Sequence, residues 1–130
     1  MPVRIVRLGS ARAPDEGVRF GTVRRPPRGV PRNRYASENW YDVWLPNLAP
    51  SAALVKSAQD GSGDGAVWKR FAGRYRAEMA RPENSRVLDA LAALSHQTNF
   101  SVGCYCEDPL RCHRSILRQI LQQHGASIAG

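Results

Sequence analysis

Long apolar segments and a disulfide framework are both missing from this sequence. No stretch approaches the roughly 18 uninterrupted apolar residues of a membrane span, and Arg4, Arg7 and Arg12 interrupt the amino-terminal segment where a signal peptide needs an apolar core. There are three cysteines, an odd number, and all lie between Cys104 and Cys112. We therefore expect neither a signal peptide nor a transmembrane helix, and we expect a reduced, cytoplasmic setting.

Lysine is scarce as well, because 17 of the 19 basic residues are arginine. The formal net charge is +8, and residues 1–34 contain nine arginines against only Asp15 and Glu16. Guanidinium groups bind phosphate through a planar fork, so this segment favours a nucleotide or nucleic-acid partner. Because the sequence has no membrane span, we expect no membrane partner. The alternative interpretation is a solvated basic face without a specific ligand.

The length and composition indicate a single α/β domain over residues 1–130. Period-two alternation predicts strands at Val3–Leu8, Val18–Val23 and Phe100–Cys106. Periods of three to four residues, together with capping residues, predict helices at Ser37–Leu45, Ala52–Gln59, Ala66–Ala80, from Pro82 onwards, and from Asp108 to about Gln123. This order indicates a small, mostly parallel sheet covered by helices, with room for a fourth strand in a segment assigned to a helix or loop.

The segment Gly103–Ser115 concentrates thiol, imidazole and guanidinium groups. The predicted helix start at Pro109 follows Cys106 closely, and a helix amino terminus lowers the pKa of a nearby thiol and holds anions. In the catalytic interpretation Cys106 is a nucleophile or redox thiol and His113 moves protons. Arg111 and Arg114 then hold an anionic substrate, and Cys112 is the second candidate thiol.

Two other interpretations of this segment stay open. Cys104, Cys106, Cys112 and His113 have the residue types of a Cys3His zinc site, but their spacing differs from the usual pair of zinc knuckles, so we assign no metal ligands. Alternatively the cysteines are small core residues, which is the simplest account of Cys112 four residues before Ile116.

Short motifs along nearly the whole chain are shared with a known family. They are Arg28-Gly29-Val30, Asp42-Val43-Trp44-Leu45, Leu48-Ala49-Pro50-Ser51, Trp68, Phe71, Arg74-Tyr75, Glu78, Asp108-Pro109 and Cys112-His113-Arg114-Ser115. With these motifs the chain resembles the family known as domain of unknown function 488, and within it the short, YeaO-like subgroup. The subgroup usually has Asp-Arg-Leu-Trp where this chain has Val23-Arg24-Arg25-Pro26. The resemblance implies a compact, cytoplasmic α/β domain of unknown activity.

The arginine-rich loop at residues 24–34 and the segment after Cys106 each follow a predicted strand. Ligands of parallel α/β sheets bind at the carboxyl ends of strands, so we expect the two segments to line one pocket. The residues assigned to it are Arg24, Arg25, Arg28, Cys106, Arg111, Cys112, His113 and Arg114. We predict that the pocket binds an anionic ligand, a nucleotide or a nucleic-acid end, with thiol-dependent transfer or hydrolysis as its enzymatic form. The alternatives are a non-enzymatic nucleic-acid-binding module and a structural zinc domain.

Overall fold

Parallel strands form the centre of the structure, a computed structural model that describes residues 2–60, 65–105 and 113–129, with backbone alone at residues 58–60. In these ranges the strands are β1 (Val3–Arg7), β2 (Val18–Gly21), β3 (Val43–Trp44) and β4 (Phe100–Cys104). They form one parallel sheet in the order β1-β4-β2-β3. The predicted α/β class and parallel sheet are confirmed, and β3 is an additional strand.

The helices of the described residues are α1 (Ala52–Asp60), α2 (Gly65–Met79), α3 (Pro82–Leu94) and α4 (His113–Gln123), with 3-10 turns at Arg32–Arg34 and Pro46–Leu48. Helices α1, α2 and α3 agree with the sequence prediction. Ser51 caps α1, because its hydroxyl accepts the Leu54 N–H at 3.3 Å and donates to the Glu78 carboxylate at 2.6 Å. The predicted start of the last helix at Asp108 lies outside the described residues.

The predicted helix at Ser37–Leu45 is wrong. Asn39 has a left-handed backbone with φ of 64°, and Val43–Trp44 pairs with β2 as strand β3. The Asp42 backbone N–H donates to the Arg19 carbonyl at 2.8 Å, and the Asp42 carboxylate accepts the Arg19 N–H at 2.8 Å. These hydrogen bonds to a distant strand override the local helix propensity.

The main hydrophobic core covers one face of the sheet. Strand residues Val3, Phe100 and Val102 belong to a buried cluster that includes side chains from each of the four helices named above. The helical members are Leu54, Phe71, Tyr75, Met79, Leu88, Leu91, Ile116, Leu117, Ile120 and Leu121. Each large apolar side chain buried in this way contributes about 1.5–3 kcal/mol, so this face supplies the main hydrophobic stabilisation.

The opposite face of the sheet carries a buried ion pair. Arg19 is fully buried, and its guanidinium donates to both carboxylate oxygens of Glu16, at 2.7 and 3.0 Å. The Ser101 hydroxyl donates to the same carboxylate at 2.7 Å. A further guanidinium nitrogen donates to the carbonyl oxygens of Ser10, at 3.0 Å, and Asn39, at 2.7 Å. Arg19 therefore attaches two loops to β2.

The two edges of the sheet differ. At the β1 edge the Val3 N–H donates to the Ser127 carbonyl at 2.7 Å, and the Ala129 N–H donates to the Val3 carbonyl at 2.8 Å. At the β3 edge Val43 and Trp44 are each 43% exposed. None of the helices in the described ranges has both the length and the apolar character that crossing a membrane requires.

We predict that Arg19→Met lowers the free energy of unfolding by about 3–5 kcal/mol, because it leaves the Glu16 carboxylate buried without its cation. Urea unfolding monitored by circular dichroism measures the change.

Burial alone raises the pKa of Glu16, but hydrogen bonds from Arg19 and Ser101 hold it below its ordinary value of 4.5. The stability that this carboxylate contributes is therefore complete above about pH 4.5 and is lost as the pH falls through its lower, folded-state pKa.

The matched control is Asp15→Asn, which removes the exposed ion pair between Asp15 and Arg4 and should cost less than about 1 kcal/mol. If the Arg19→Met protein is as stable to urea as this control, the buried pair does not stabilise the face of the sheet opposite the main hydrophobic core.

Candidate functional site

A cavity of about 710 Å³ opens at the carboxyl ends of the strands. Its walls come from the end of β1, the arginine-rich loop, the turn before β3 and the residue after β4. They are Arg7, Leu8, Gly9, Ser10, Arg25, Pro26, Pro27, Arg28, Trp40 and Tyr105. The parallel sheet brings the ends of β1 and β4 and the loop after β2 together, because the carboxyl ends of its strands lie at one edge. The turn before β3 is held beside them by the Gly9 N–H, which donates to the Asn39 carbonyl at 2.8 Å.

Positive charge dominates the walls of this cavity. Arg25 and Arg28 form no hydrogen bond or ion pair through their side chains with any described residue, and Arg7 adds a third guanidinium. None of the described lining residues is acidic. Gly29, with φ of 72°, turns the chain directly after Arg28, and the preceding prolines restrict the backbone. Among the described residues, Arg25 and Arg28 are therefore cations without a counter-ion on a restrained loop.

Two aromatic side chains complete the cavity. The rings of Trp40 and Tyr105 meet edge to face, with centroids 5.9 Å apart. Burial, with the neighbouring hydroxyls of Tyr41 and Tyr35, raises the pKa of Tyr105 above its ordinary value of 10. The phenol therefore stays protonated at neutral pH and donates to the Arg25 carbonyl at 2.9 Å. This bond joins the residue after β4 to the arginine-rich loop.

The sequence-predicted site residues divide into three groups. The first group consists of the arginines of the arginine-rich loop. Arg28 lines the cavity, and so does Arg25. Arg24 instead donates to the carbonyl oxygens of Ala49 and Pro50, both at 3.2 Å, on the wall of a different cavity that also includes Ser51 and Glu78.

The second group consists of residues at the start of α4. His113 is buried, and its Nε2 donates to the Thr22 carbonyl at 2.8 Å while its ring meets that of Tyr75 edge to face at 5.5 Å. Proton transfer by this histidine would have to use Nδ1. Arg114 is 5% exposed, and its Nε has no hydrogen-bond partner among the described residues. Neither residue belongs to the described wall of the cavity.

The third group, Cys106, Arg111 and Cys112, lies outside the described residues. Cys104 is 1% exposed and packs with Leu8, Val23 and Tyr41, as expected for a small core residue. In the described ranges no three His, Cys, Asp or Glu side chains are placed to hold a metal ion.

Sequence reasoning missed Arg7, Trp40 and Tyr105 as cavity residues. Arg7 is the last residue of β1 and Tyr105 directly follows β4, so the rule that pockets form at carboxyl ends could have found both. Trp40 had no such signal, because its segment was predicted to be helical.

Several residues of the shared motifs form hydrogen bonds that join helix α2 to the turn before α1. The buried Tyr75 hydroxyl donates to the Leu48 carbonyl at 2.6 Å. Glu78 accepts the Ser51 backbone N–H at 2.9 Å as well as its hydroxyl. These bonds fix α2 against the turn before α1, so the motif residues concerned hold the fold together.

We predict that His113→Leu lowers the free energy of unfolding by about 1–3 kcal/mol, because the Thr22 carbonyl loses its imidazole donor. His113→Gln keeps an N–H donor and should lose less. Urea unfolding measures both variants. His124→Gln is the control, since it changes only the partly exposed pair with Asp89. A His113→Leu protein as stable as this control would contradict a structural role for the Nε2 hydrogen bond.

The comparison with known proteins gives one family. A model named DUF488-N3a, described as the active DUF488-N3 subclade, matches residues 3–125. No curated protein and no solved structure matches the chain significantly. The match covers β1 to the end of α4, and therefore the whole sheet and the cavity at its edge. The chain belongs to the DUF488 family.

Proposed function

We propose that the protein binds a nucleotide through its phosphate and base in the cavity at the carboxyl edge of the sheet. The observation that carries this proposal is the pair Arg25 and Arg28, which line the cavity without a counter-ion in the described part of the chain. Arginine binds phosphate oxygens through two parallel N–H donors. A bound phosphate would supply the negative counter-charge that Arg25 and Arg28 lack among the described residues.

The remaining walls favour a nucleotide over a small inorganic anion. A volume of about 710 Å³ falls in the range of sites for drug-sized ligands, and far exceeds what one phosphate group needs. Trp40 and Tyr105 provide aromatic surface for a base. The Trp40 Nε1 is buried and has no partner among the described residues, and an unpaired donor of this kind costs about 1–3 kcal/mol.

The enzymatic form of the proposal assigns the nucleophile to Cys106. This residue directly follows Tyr105, which lines the cavity, whereas Cys104 is sealed in an apolar cluster. The description of the subclade as active agrees with a chemical role. In this step the Cys106 thiolate would attack the phosphorus of the bound ester, so that an S–P bond forms while the P–O bond to the alcohol breaks and the alcohol leaves with a proton. Water, for hydrolysis, or a second alcohol, for transfer, would then break the S–P bond and restore the thiol.

We predict that Arg25→Gln and Arg28→Gln each weaken nucleotide binding about tenfold, because each removes one charged donor to phosphate. Isothermal titration calorimetry with adenosine, guanosine, cytidine and uridine monophosphates measures the affinity, and the matching nucleosides and inorganic phosphate separate the contributions of base and phosphate. Arg86→Gln is the control, because this exposed arginine of α3 lines no described cavity wall. Failure of every monophosphate to bind, or equal affinities for the three variants, would contradict the proposal.

We predict that a bound nucleotide slows alkylation of Cys106 at least about threefold, because the ligand covers the thiol. Mass spectrometry after timed iodoacetamide treatment assigns the modified cysteine, and Cys104 provides the internal standard of a buried, slowly reacting thiol. Cys106→Ser should retain nucleotide affinity. Alkylation at the rate of a free thiol, unchanged by a saturating ligand, would reject Cys106 as the nucleophile while leaving nucleotide binding in place.

A further inference from the structure

A second cavity, of about 730 Å³, adjoins the first across Pro26, which lines both. Its described walls come from Pro26 and the 3-10 turn of the arginine-rich loop, from the segment between that turn and β3, and from β3 itself. They are Pro26, Arg32, Asn33, Tyr35, Ala36, Tyr41, Asp42, Val43 and Trp44. The two cavities are therefore neighbours that share the arginine-rich loop as part of their walls.

The second cavity also presents an unneutralised cation. Arg32 is exposed, and its side chain forms no hydrogen bond or ion pair with the described residues. The one acidic residue in the described wall is Asp42, and its carboxylate is already bound by two nitrogens of Arg12, at 2.8 and 3.1 Å, and by the Arg19 N–H. Arg32 thus continues the positive charge of Arg25 and Arg28 past Pro26.

An indole ring forms an open stacking surface in this cavity. Trp44 is 43% exposed, yet its Nε1 donates to the Val23 carbonyl at 2.7 Å, which holds the ring in place at the sheet edge. A fixed, exposed ring offers a base a platform at little cost in side-chain entropy. Beside it, Tyr41 is 3% exposed and its hydroxyl has no partner among the described residues.

We infer that the ligand is a single-stranded nucleic acid that places two successive nucleotides in these two cavities, one on each side of Pro26. The inference rests on the proposed function, because the first nucleotide occupies the cavity already described. Each cavity pairs an unneutralised arginine with an aromatic ring, which is the combination that binds the backbone and bases of single strands. A duplex keeps its bases stacked on one another and out of reach of Trp44.

The test compares ligands of increasing length on the full chain. Fluorescence anisotropy and calorimetry measure affinities for thymidine monophosphate, for thymidylates of two and four nucleotides, for the matching uridylates, and for a blunt 12-base-pair duplex. We expect the dinucleotide to bind at least about tenfold more tightly than the monophosphate, since stacking of a second base is worth about that factor. The tetranucleotide affinity should fall with salt with a logarithmic slope of about −2, from three phosphate contacts at about −0.7 each. Because thymine carries a 5-methyl group that uracil lacks, uridylates are compared with 2′-deoxyuridylates of equal length to isolate the effect of the sugar.

Variants locate the second nucleotide. Arg32→Gln should weaken tetranucleotide binding about fivefold and should affect the monophosphate less. Its matched control is Arg34→Gln in the same 3-10 turn, because Arg34 faces Glu38 and lines neither cavity. Trp44→Leu should weaken tetranucleotide binding about tenfold. Trp44→Phe loses the same hydrogen bond to Val23 but keeps an aromatic ring, and should retain most of the affinity.

Each other outcome overturns the inference in a recognisable way. If the monophosphate binds and the dinucleotide binds no more tightly, the proposed function stands and the second nucleotide site is wrong. Equal affinity for the duplex, or equal losses for Arg32→Gln and Arg34→Gln, also overturns the second site alone. If neither monophosphate nor oligonucleotide binds, both proposals are wrong.

Discussion

The guanidinium group of Arg19 is buried on the face of the sheet opposite the main hydrophobic core. Two loops beside the first cavity are hydrogen-bonded to it. It donates to Glu16 on one side and to the carbonyl oxygens of Ser10 and Asn39 on the other. Ser10 lines the cavity itself, and Asn39 precedes Trp40, which also lines it. Removing two charges from water is costly, and near-complete hydrogen bonding offsets that cost here. The geometry of the first cavity thus depends on a buried group that does not line it.

The asymmetry of the sheet follows from this arrangement. Helices cover one face with apolar side chains, whereas loops and polar groups cover the other. Gly21 shows how close that second cover lies, because a Cβ atom at this position would stand 2.3 Å from the ring of Tyr41. A short, ring-bearing segment can therefore close a face that in many α/β proteins is covered by further helices. Arg25, Arg28 and Arg32 line the cavities that these loops form.

Local patterns in the sequence were sufficient for three of the four described strands and for helices α1, α2 and α3. Alternation found β1, β2 and β4, and the apolar periodicity of α2 reports the burial of Phe71, Tyr75 and Met79. The segment at residues 37–45 could not be predicted in this way, because partners far away in the chain determine its conformation. Likewise, the separation of Arg25 from Arg24 depends on which side chain faces the carbonyl oxygens of Ala49 and Pro50, and adjacent residues in a loop carry no periodic signal for that. The common edge of the pocket was predictable from topology, and with it Tyr105 directly after β4, but Trp40 was not.

The hydrogen bonds of Val3 with Ser127 and Ala129 also have a consequence for the behaviour of the chain in solution. Open sheet edges invite pairing with other molecules, and at the β1 edge the backbone of Val3 is already paired with residues 127–129 of its own chain. A strand from another molecule would therefore find the more open backbone at the β3 edge of the described sheet, where Val43 and Trp44 are exposed. A shortened chain that ends before Ser127 would leave Val3 unpaired, so both edges of the sheet would be open to strands of other molecules. Such a chain could associate at both edges, which favours open-ended fibres over closed dimers.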